Sequence, residues 1–209
     1  MAASTEQIKE LREATGAGVL DCKKALDEAN GDLQKAAALL QERGLAKAAK
    51  RSDRETAAGM LELYSHGEGR VGVMVEVNCE TDFVARTDEF RQFAHEMVLQ
   101  VAATSPEYVS QEDIPQGVIE AERAAMAKQA AEEGKPADVV EQIVEGRFAK
   151  YLEQVCLLNQ PYVRDDAKTV DELLKELIAS TGENIQIRRF VRWEVAEPIE
   201  AQRAKPVEA

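Results

Sequence analysis

Histidine, cysteine and aromatic side chains are all scarce in this chain, and each scarcity removes a class of chemistry. Two histidines, His66 and His95, cannot build a histidine-rich metal cluster. Neither has a sequence partner that would suggest a nucleophile and its base. Three cysteines, Cys22, Cys79 and Cys156, lie far apart without a CxxC pair. That spacing fits neither a disulfide framework nor a zinc site, so they read as buried or incidental thiols. Aromatic residues make up 5% of the chain, and aliphatic side chains and alanine must therefore fill most of the core.

Several catalytic signatures are missing as well. There is no phosphate-cradling GxxxxGK[ST], no GxSxG and no HExxH. The glycines at 67, 69 and 72 sit in a turn with no helix opening after them. Paired acids such as Glu80 and Asp82 can serve as general acid and base, but acids are common in so acidic a chain. Bond-making catalysis is not supported, and no cofactor or metal is expected.

A positive balance is also lacking. Acids outnumber lysine plus arginine by 39 to 26, a formal charge of -13, which opposes approach to phosphate backbones and anionic membranes. General nucleic-acid binding is not expected. No run nears the roughly 20 apolar residues that span a bilayer, and MAASTEQIKE carries neither a basic start nor an apolar segment. The expected location is the cytoplasm.

What remains is a 209-residue chain, 44% hydrophobic and 31% charged, long enough for one sizeable core or two small ones. Ser4-Thr-Glu-Gln7 has the form of a capping box, with Ile8, Leu11 and Ala14 following at helical spacing. Thr15-Gly-Ala-Gly18 breaks that helix. A second runs from about Val19 to Ala29 with Leu20, Ala25 and Leu26 as inward candidates, and a third from Leu33 to about Glu42, ending at Gly44. Three helices this short must pack together as a small bundle. The next stretch, LAKAAKRSDRET at 45–56, carries Lys47, Lys50, Arg51 and Arg54 and reads as a linker, whether helical or not. Its charge marks either a solvated connector or a contact with an acidic partner.

Beyond the linker, Gly59–Ser65 and Arg70–Asn78 flank His66-Gly-Glu-Gly69 as a hairpin. Val71, Val73, Val75 and Val77 mark one face, with Gly72, Met74, Glu76 and Asn78 opposite, so one side should be covered and the other partly wet. Thr87 can cap a helix whose Phe90, Phe93, Met97, Val98 and Val101 form a stripe for that sheet. From Pro115 to Glu133, and again from about Ala137 to Gln154, the pattern is a helical hairpin with a polar first arm. A Thr169-capped helix stopped by Gly182 precedes a last strand in which Ile185, Ile187, Arg189, Val191, Trp193 and Val195 alternate with polar neighbours and Phe190. The tail after Glu197 shows no periodicity and is expected to be frayed.

One stretch changes character in the middle. In VEVNCETDFVAR at 75–86 the alternating apolar run stops at Asn78, and acids then surround Phe83. Such a phenylalanine is either a core plug that loops inward or a wedge for another molecule. In the bundle, Arg12 lies on the polar side of the first helix. Val19 and Leu20 follow the turn directly, where at least one should be exposed; alternatively Leu20 is core and Val19 a tolerated surface residue.

LREATGAGVLDCKKALDEANGDLQKAAALLQERG at 11–44, VEVNCETDFVAR at 75–86, GKPADVVEQIVEGR at 134–147 and IRRFVRWEVAE at 187–197 resemble the bacterial translation elongation factor Ts family, in order, from about residue 3 to 197. TGAG followed by DCKKAL, with NCETDFVAR at its distance, is the specific part. The resemblance implies an α+β fold. A ubiquitin-associated-like three-helix domain at 1–44 and a linker at 45–56 would precede an α+β core and dimerisation domain at 57–197. That core would hold a three-stranded antiparallel sheet and a protruding helical hairpin at 115–155, followed by a flexible tail at 198–209. One copy of the core subdomain, where longer members carry two, is similar to the short forms that work as symmetric dimers.

The resemblance also implies a function, guanine-nucleotide exchange on elongation factor Tu: displacing GDP so that GTP can enter. Thr81, Asp82, Phe83 and Val84 match the segment that intrudes near the partner's magnesium site, with Phe83 inserting and Asp82 making polar contacts beside it. Arg12, Val19 and Leu20 match the surface that docks on the nucleotide domain. Many members have methionines where this chain has Val19 and Leu20, so that contact has a changed shape. Two other classes compete with this one: a non-exchanging binding module built on the bundle, and a hydrolase dependent on Cys79 or Asp82.

Overall fold

The computed structural model describes residues 3–134 and 136–198. The expected tail lies outside the described residues except for Pro198. Along the chain come α1 (Thr5–Thr15), α2 (Val19–Glu28), α3 (Leu33–Ala49), β1 (Ala58–His66), β2 (Val71–Cys79), α4 (Asp82–Ala85) and α5 (Asp88–Thr104). Then follow α6 (Gln116–Glu132), α7 (Ala137–Val155), β3 (Pro161–Tyr162), β4 (Asp165–Thr169), α8 (Val170–Thr181) and β5 (Ile185–Glu194). The class is α+β, as the periodicities predict.

Two compact units divide these residues. The first takes the chain up to Met60, Val77–Phe93 and Lys168–Gln186; the second takes Leu61–Glu76, Ala94–Ala167 and the chain from Ile187. In the first unit, the Ser4 hydroxyl accepts from Gln7 N–H while the Gln7 side chain accepts from Ser4 N–H, completing the capping box. Gly16, at φ 67°, donates to the Arg12 carbonyl and stops α1 in the left-handed form that glycine adopts cheaply. Leu11, Cys22, Ala25, Leu26, Ala36 and Leu40 bury together as the bundle core. Leu20, an inward candidate by spacing, is exposed instead, and Cys22 takes the inward place.

Gly44 does not end the third helix, which runs on to Ala49. A Cβ on Gly44 would sit 3.1 Å from the Cβ of Ala179, so the missing side chain gives room for α8 to lie against α3. Helix packing here outweighs the cost of about 1 kcal/mol that glycine brings to a helix interior. Gly59 is a second obligate position: at φ 148°, its Cβ would lie 2.2 Å from the Val77 carbonyl oxygen on β2.

The three-stranded sheet has the order β1-β2-β5 and is antiparallel, as expected. Val71, Val73, Val75 and Val77 are buried and Met74 is on the open side. Asn78 departs from the alternation: Val77, Asn78 and Cys79 are buried in succession, so this end of β2 is covered on both faces. On β5 only Ile185 and Ile187 of the expected face are buried, while Val191 and Trp193 are exposed, as is Val195 just past the strand's end. The apolar alternation continues past the residues that have a covering layer.

Within the second unit, α5 meets β1 through His95, which hydrogen-bonds Glu62 at 3.1 Å. The α6–α7 hairpin closes over Phe148, Leu152 and Val155, with the Arg123 guanidinium 4.3 Å from the centre of the Phe148 ring. The small β3–β4 sheet was not legible in the pattern, because its strands are short and lack alternation. A buried glutamine holds it: Gln100 donates to the Pro161 carbonyl at 3.1 Å and accepts from Val163 N–H at 2.9 Å.

Candidate functional site

The apolar run of β2 ends in the first unit, and the chain turns at once into α4, a helix of only four residues with none buried. Thr81 is its N-cap, extended at φ −130° and ψ 156°, and its hydroxyl accepts from Val84 N–H at 3.4 Å. Thr87 ends the turn, donating its hydroxyl to the Val84 carbonyl at 2.8 Å and accepting from Phe90 N–H at 3.3 Å to begin α5. Between these caps Phe83 is 80% exposed. The core-plug alternative does not describe this side chain.

The shortest hydrogen bonds at the turn come from outside it. The Ala85 N–H reaches the Thr81 carbonyl at 3.3 Å, and the Arg86 N–H reaches Phe83 at 3.3 Å. By contrast, Thr81 donates its hydroxyl and its N–H to the Glu183 carboxylate at 2.6 Å and 3.0 Å. One residue earlier, the Glu80 carboxylate accepts from Asn184 N–H at 2.6 Å and from Arg54 at 3.3 Å. Charge-assisted bonds of this kind are about twice as strong as neutral ones. The segment is thus pinned by the turn that follows α8.

The electrostatics agree with that geometry. The Asn184 backbone N–H, then the Arg54 guanidinium, hold the Glu80 carboxyl below the usual range against the opposing effect of burial. Burial, and then the Glu183 carboxylate, push the Cys79 thiol up. A protonated Cys79 donates to the Thr81 carbonyl at 3.1 Å. A buried, protonated thiol is the reverse of a reactive thiolate, which removes the support for a Cys79-dependent hydrolase. Asp82 and Arg86 form an exposed i,i+4 pair at 2.7 Å.

The bundle presents the other expected residues. Val19 and Leu20 are the first two residues of α2, 53% and 72% exposed, and Gly18 supplies no side-chain cap. Arg12 is exposed in the last turn of α1. All seven expected residues belong to the first unit, four of them consecutive in the Phe83 turn. A cleft of about 510 Å³ in the same unit, lined by Ala37, Leu40, Gly44, Lys175 and Ala179 among others, includes none of the seven.

Sequence reasoning missed Glu183 and Asn184, which hold the turn, and marked Arg54 only for its charge in the linker. No periodicity or spacing links positions 80 and 81 to 183 and 184, and only the pairing of β2 with β5 brings them together. Among the described residues no group of three or more His, Cys, Asp or Glu side chains could hold a metal ion. No described helix is long and apolar enough to cross a membrane.

The family model described as Elongation factor TS matches residues 3–197. The chain is 57% identical over 194 residues to elongation factor Ts of Carboxydothermus hydrogenoformans, covering 93% of this chain and 89% of that one. Against elongation factor Ts of Caldanaerobacter subterraneus subsp. tengcongensis the identity is 57% over 197 residues, with 94% and 98% covered. Against that of Coprothermobacter proteolyticus it is 54% over 197 residues, with 94% and 100% covered. With a family model spanning nearly all of it and relatives more than half identical along its length, the chain belongs to the elongation factor Ts family, whose members act in translation elongation.

Proposed function

We propose that this chain is a guanine-nucleotide exchange factor for elongation factor Tu, binding the GDP-bound GTPase and disturbing its magnesium and phosphate site so that GDP leaves and GTP can enter. The observation that carries this reading is a phenylalanine four-fifths exposed on a turn pinned at both ends. A GTPase grips its nucleotide through backbone amides and a magnesium ion that demands near-ideal octahedral geometry. An exchange factor need only distort that cradle, and its own contacts must supply the free energy.

Magnitudes decide how many contacts are needed. Weakening nucleotide affinity by about 10⁴ requires roughly 5.5 kcal/mol of differential binding. Burying one phenylalanine contributes about 2–3 kcal/mol. Phe83 is therefore a main wedge that cannot act alone, and Thr81, Asp82 and Val84 add contacts beside it. Arg12, Val19 and Leu20 are the docking surface that holds the GTPase from another side. No covalent bond is made or broken in this role.

The architecture is assigned on the same footing. Residues 1–44, with α3 continuing to Ala49, form a ubiquitin-associated-like domain, the rest of 45–56 a connector, and 57–197 the core and dimerisation domain. Exposed Leu61, Leu63 and Met74 on the sheet support a homodimer, since a monomer gains nothing from leaving such side chains in water. The protein acts in the cytoplasm, without direct nucleic-acid or membrane contact. Mixing the full chain with elongation factor Tu loaded with fluorescent GDP tests the reading: release accelerates with factor concentration, and release at the intrinsic rate would overturn it. Mass in solution tests the dimer.

A further inference from the structure

We propose that Glu183, in the turn between α8 and β5, is the positioning residue that aims Phe83, acting through Thr81. The inference rests on the exchange reading above and deepens it. A four-residue helix cannot hold its own shape, because helix nucleation fixes several dihedrals for each bond gained. The direction of Phe83 must therefore be imposed from outside the turn.

Glu183 is the residue placed to impose it. Its two carboxylate oxygens take both donors of Thr81, the hydroxyl at 2.6 Å and the N–H at 3.0 Å. That commits the hydroxyl proton to Glu183 and leaves an oxygen lone pair for Val84 N–H, the bond that caps α4. Removing the carboxylate frees the hydroxyl to rotate and strands a backbone N–H. The cap then weakens, and the turn carrying Phe83 samples other directions.

Glu183 is itself held on both sides. Gly182, left-handed at φ 78°, closes α8 by donating to the Ile178 carbonyl at 3.1 Å. Asn184 donates its side-chain amide to the Ser52 and Arg54 carbonyls at 3.1 Å and 2.8 Å, and its N–H to Glu80 at 2.6 Å. A carboxylate between two anchored neighbours is oriented before any partner arrives. Such preorganisation raises the effectiveness of the side chain it supports.

The test uses the full chain with elongation factor Tu carrying fluorescent GDP, and compares Glu183→Ala, Glu183→Gln, Phe83→Ala and Phe83→Ala/Glu183→Ala. Glu183→Ala is expected to lower the maximal stimulated release about tenfold, the scale of a lost charge-assisted hydrogen bond. Glu183→Gln, whose amide oxygen still accepts from Thr81 N–H, recovers most of the rate. In the Phe83→Ala background, Glu183→Ala adds no further loss, because there is no wedge left to aim. A Glu183→Ala protein at wild-type rate beside a slow Phe83→Ala would overturn the positioning role alone. So would a Glu183→Ala loss that adds in full to that of Phe83→Ala, since that is the signature of general destabilisation. Phe83→Ala at wild-type rate would overturn the wedge assignment and the aiming role with it, whereas a wild-type chain that leaves release at the intrinsic rate would overturn the exchange reading itself. Should Glu183→Ala fail to fold, Glu183→Asp, which keeps the charge but is one methylene shorter, replaces it with the same expectations.

Discussion

Two surfaces of the first unit present apolar side chains from the first turn of a helix, and they are built in opposite ways. Val19 and Leu20 open α2, a helix of ten residues whose other face buries Cys22, Ala25 and Leu26 in the bundle core. Phe83 sits in α4, a helix of four residues that buries nothing. The first surface is carried by packing, with no side-chain cap at Gly18. The second is carried by hydrogen bonds with residues about a hundred positions away: Thr81 donates to Glu183, and Asn184 donates to Glu80. A long helix can hold an exposed residue through its own core face, whereas a short turn must borrow its rigidity.

That difference predicts different consequences of substitution. The largest effect is expected for Phe83→Ala, which removes the wedge itself: the maximal rate of stimulated GDP release falls about 30- to 150-fold, from 2–3 kcal/mol of lost burial. Circular dichroism should show unchanged helix content, since the side chain supports no core. A smaller effect is expected for Leu20→Ala on the packed surface. Half-maximal stimulation shifts to about five- to tenfold higher factor concentration while the plateau stays near wild type, the behaviour of a docking contact that binds all states alike. A fall in the plateau equal to that of Phe83→Ala would erase the distinction between the two surfaces.

The smallest effect is expected at the second clamp, and it depends on pH. Glu80 has a folded pKa lowered by Asn184 N–H and Arg54. Its contribution to stability is therefore present above the carboxyl's unfolded pKa and is lost as pH falls through the lower folded value. Thermal melts should show Glu80→Gln less stable than wild type at neutral pH, with the gap closing as pH drops below about 4. A gap that stays constant down to pH 3 would mean that Glu80 does not act through its charge.

Much of the fold was legible because local signals and tertiary needs agreed. The Ser4 capping box, the Thr169 cap, Gly16 and Gly182 as helix stops, and the valine alternation of β2 all appear where the pattern put them. It failed where a distant contact overrode a local preference: Gly44 inside α3 against Ala179, and Asn78 buried at a doubly covered strand end. The seven candidate residues were reached through motif resemblance. Spacing alone left Phe83 between plug and wedge, and Leu20 between core and surface. The residues that brace the Phe83 turn were out of reach, because a hydrogen bond between positions 81 and 183 leaves no trace in either neighbourhood of the chain.

The most direct measurement is the full concentration dependence of fluorescent GDP release from elongation factor Tu, recorded side by side for wild type, Phe83→Ala and Leu20→Ala. The account predicts a lowered plateau for Phe83→Ala and a shifted midpoint for Leu20→Ala. A Phe83→Ala curve superimposed on wild type would contradict it.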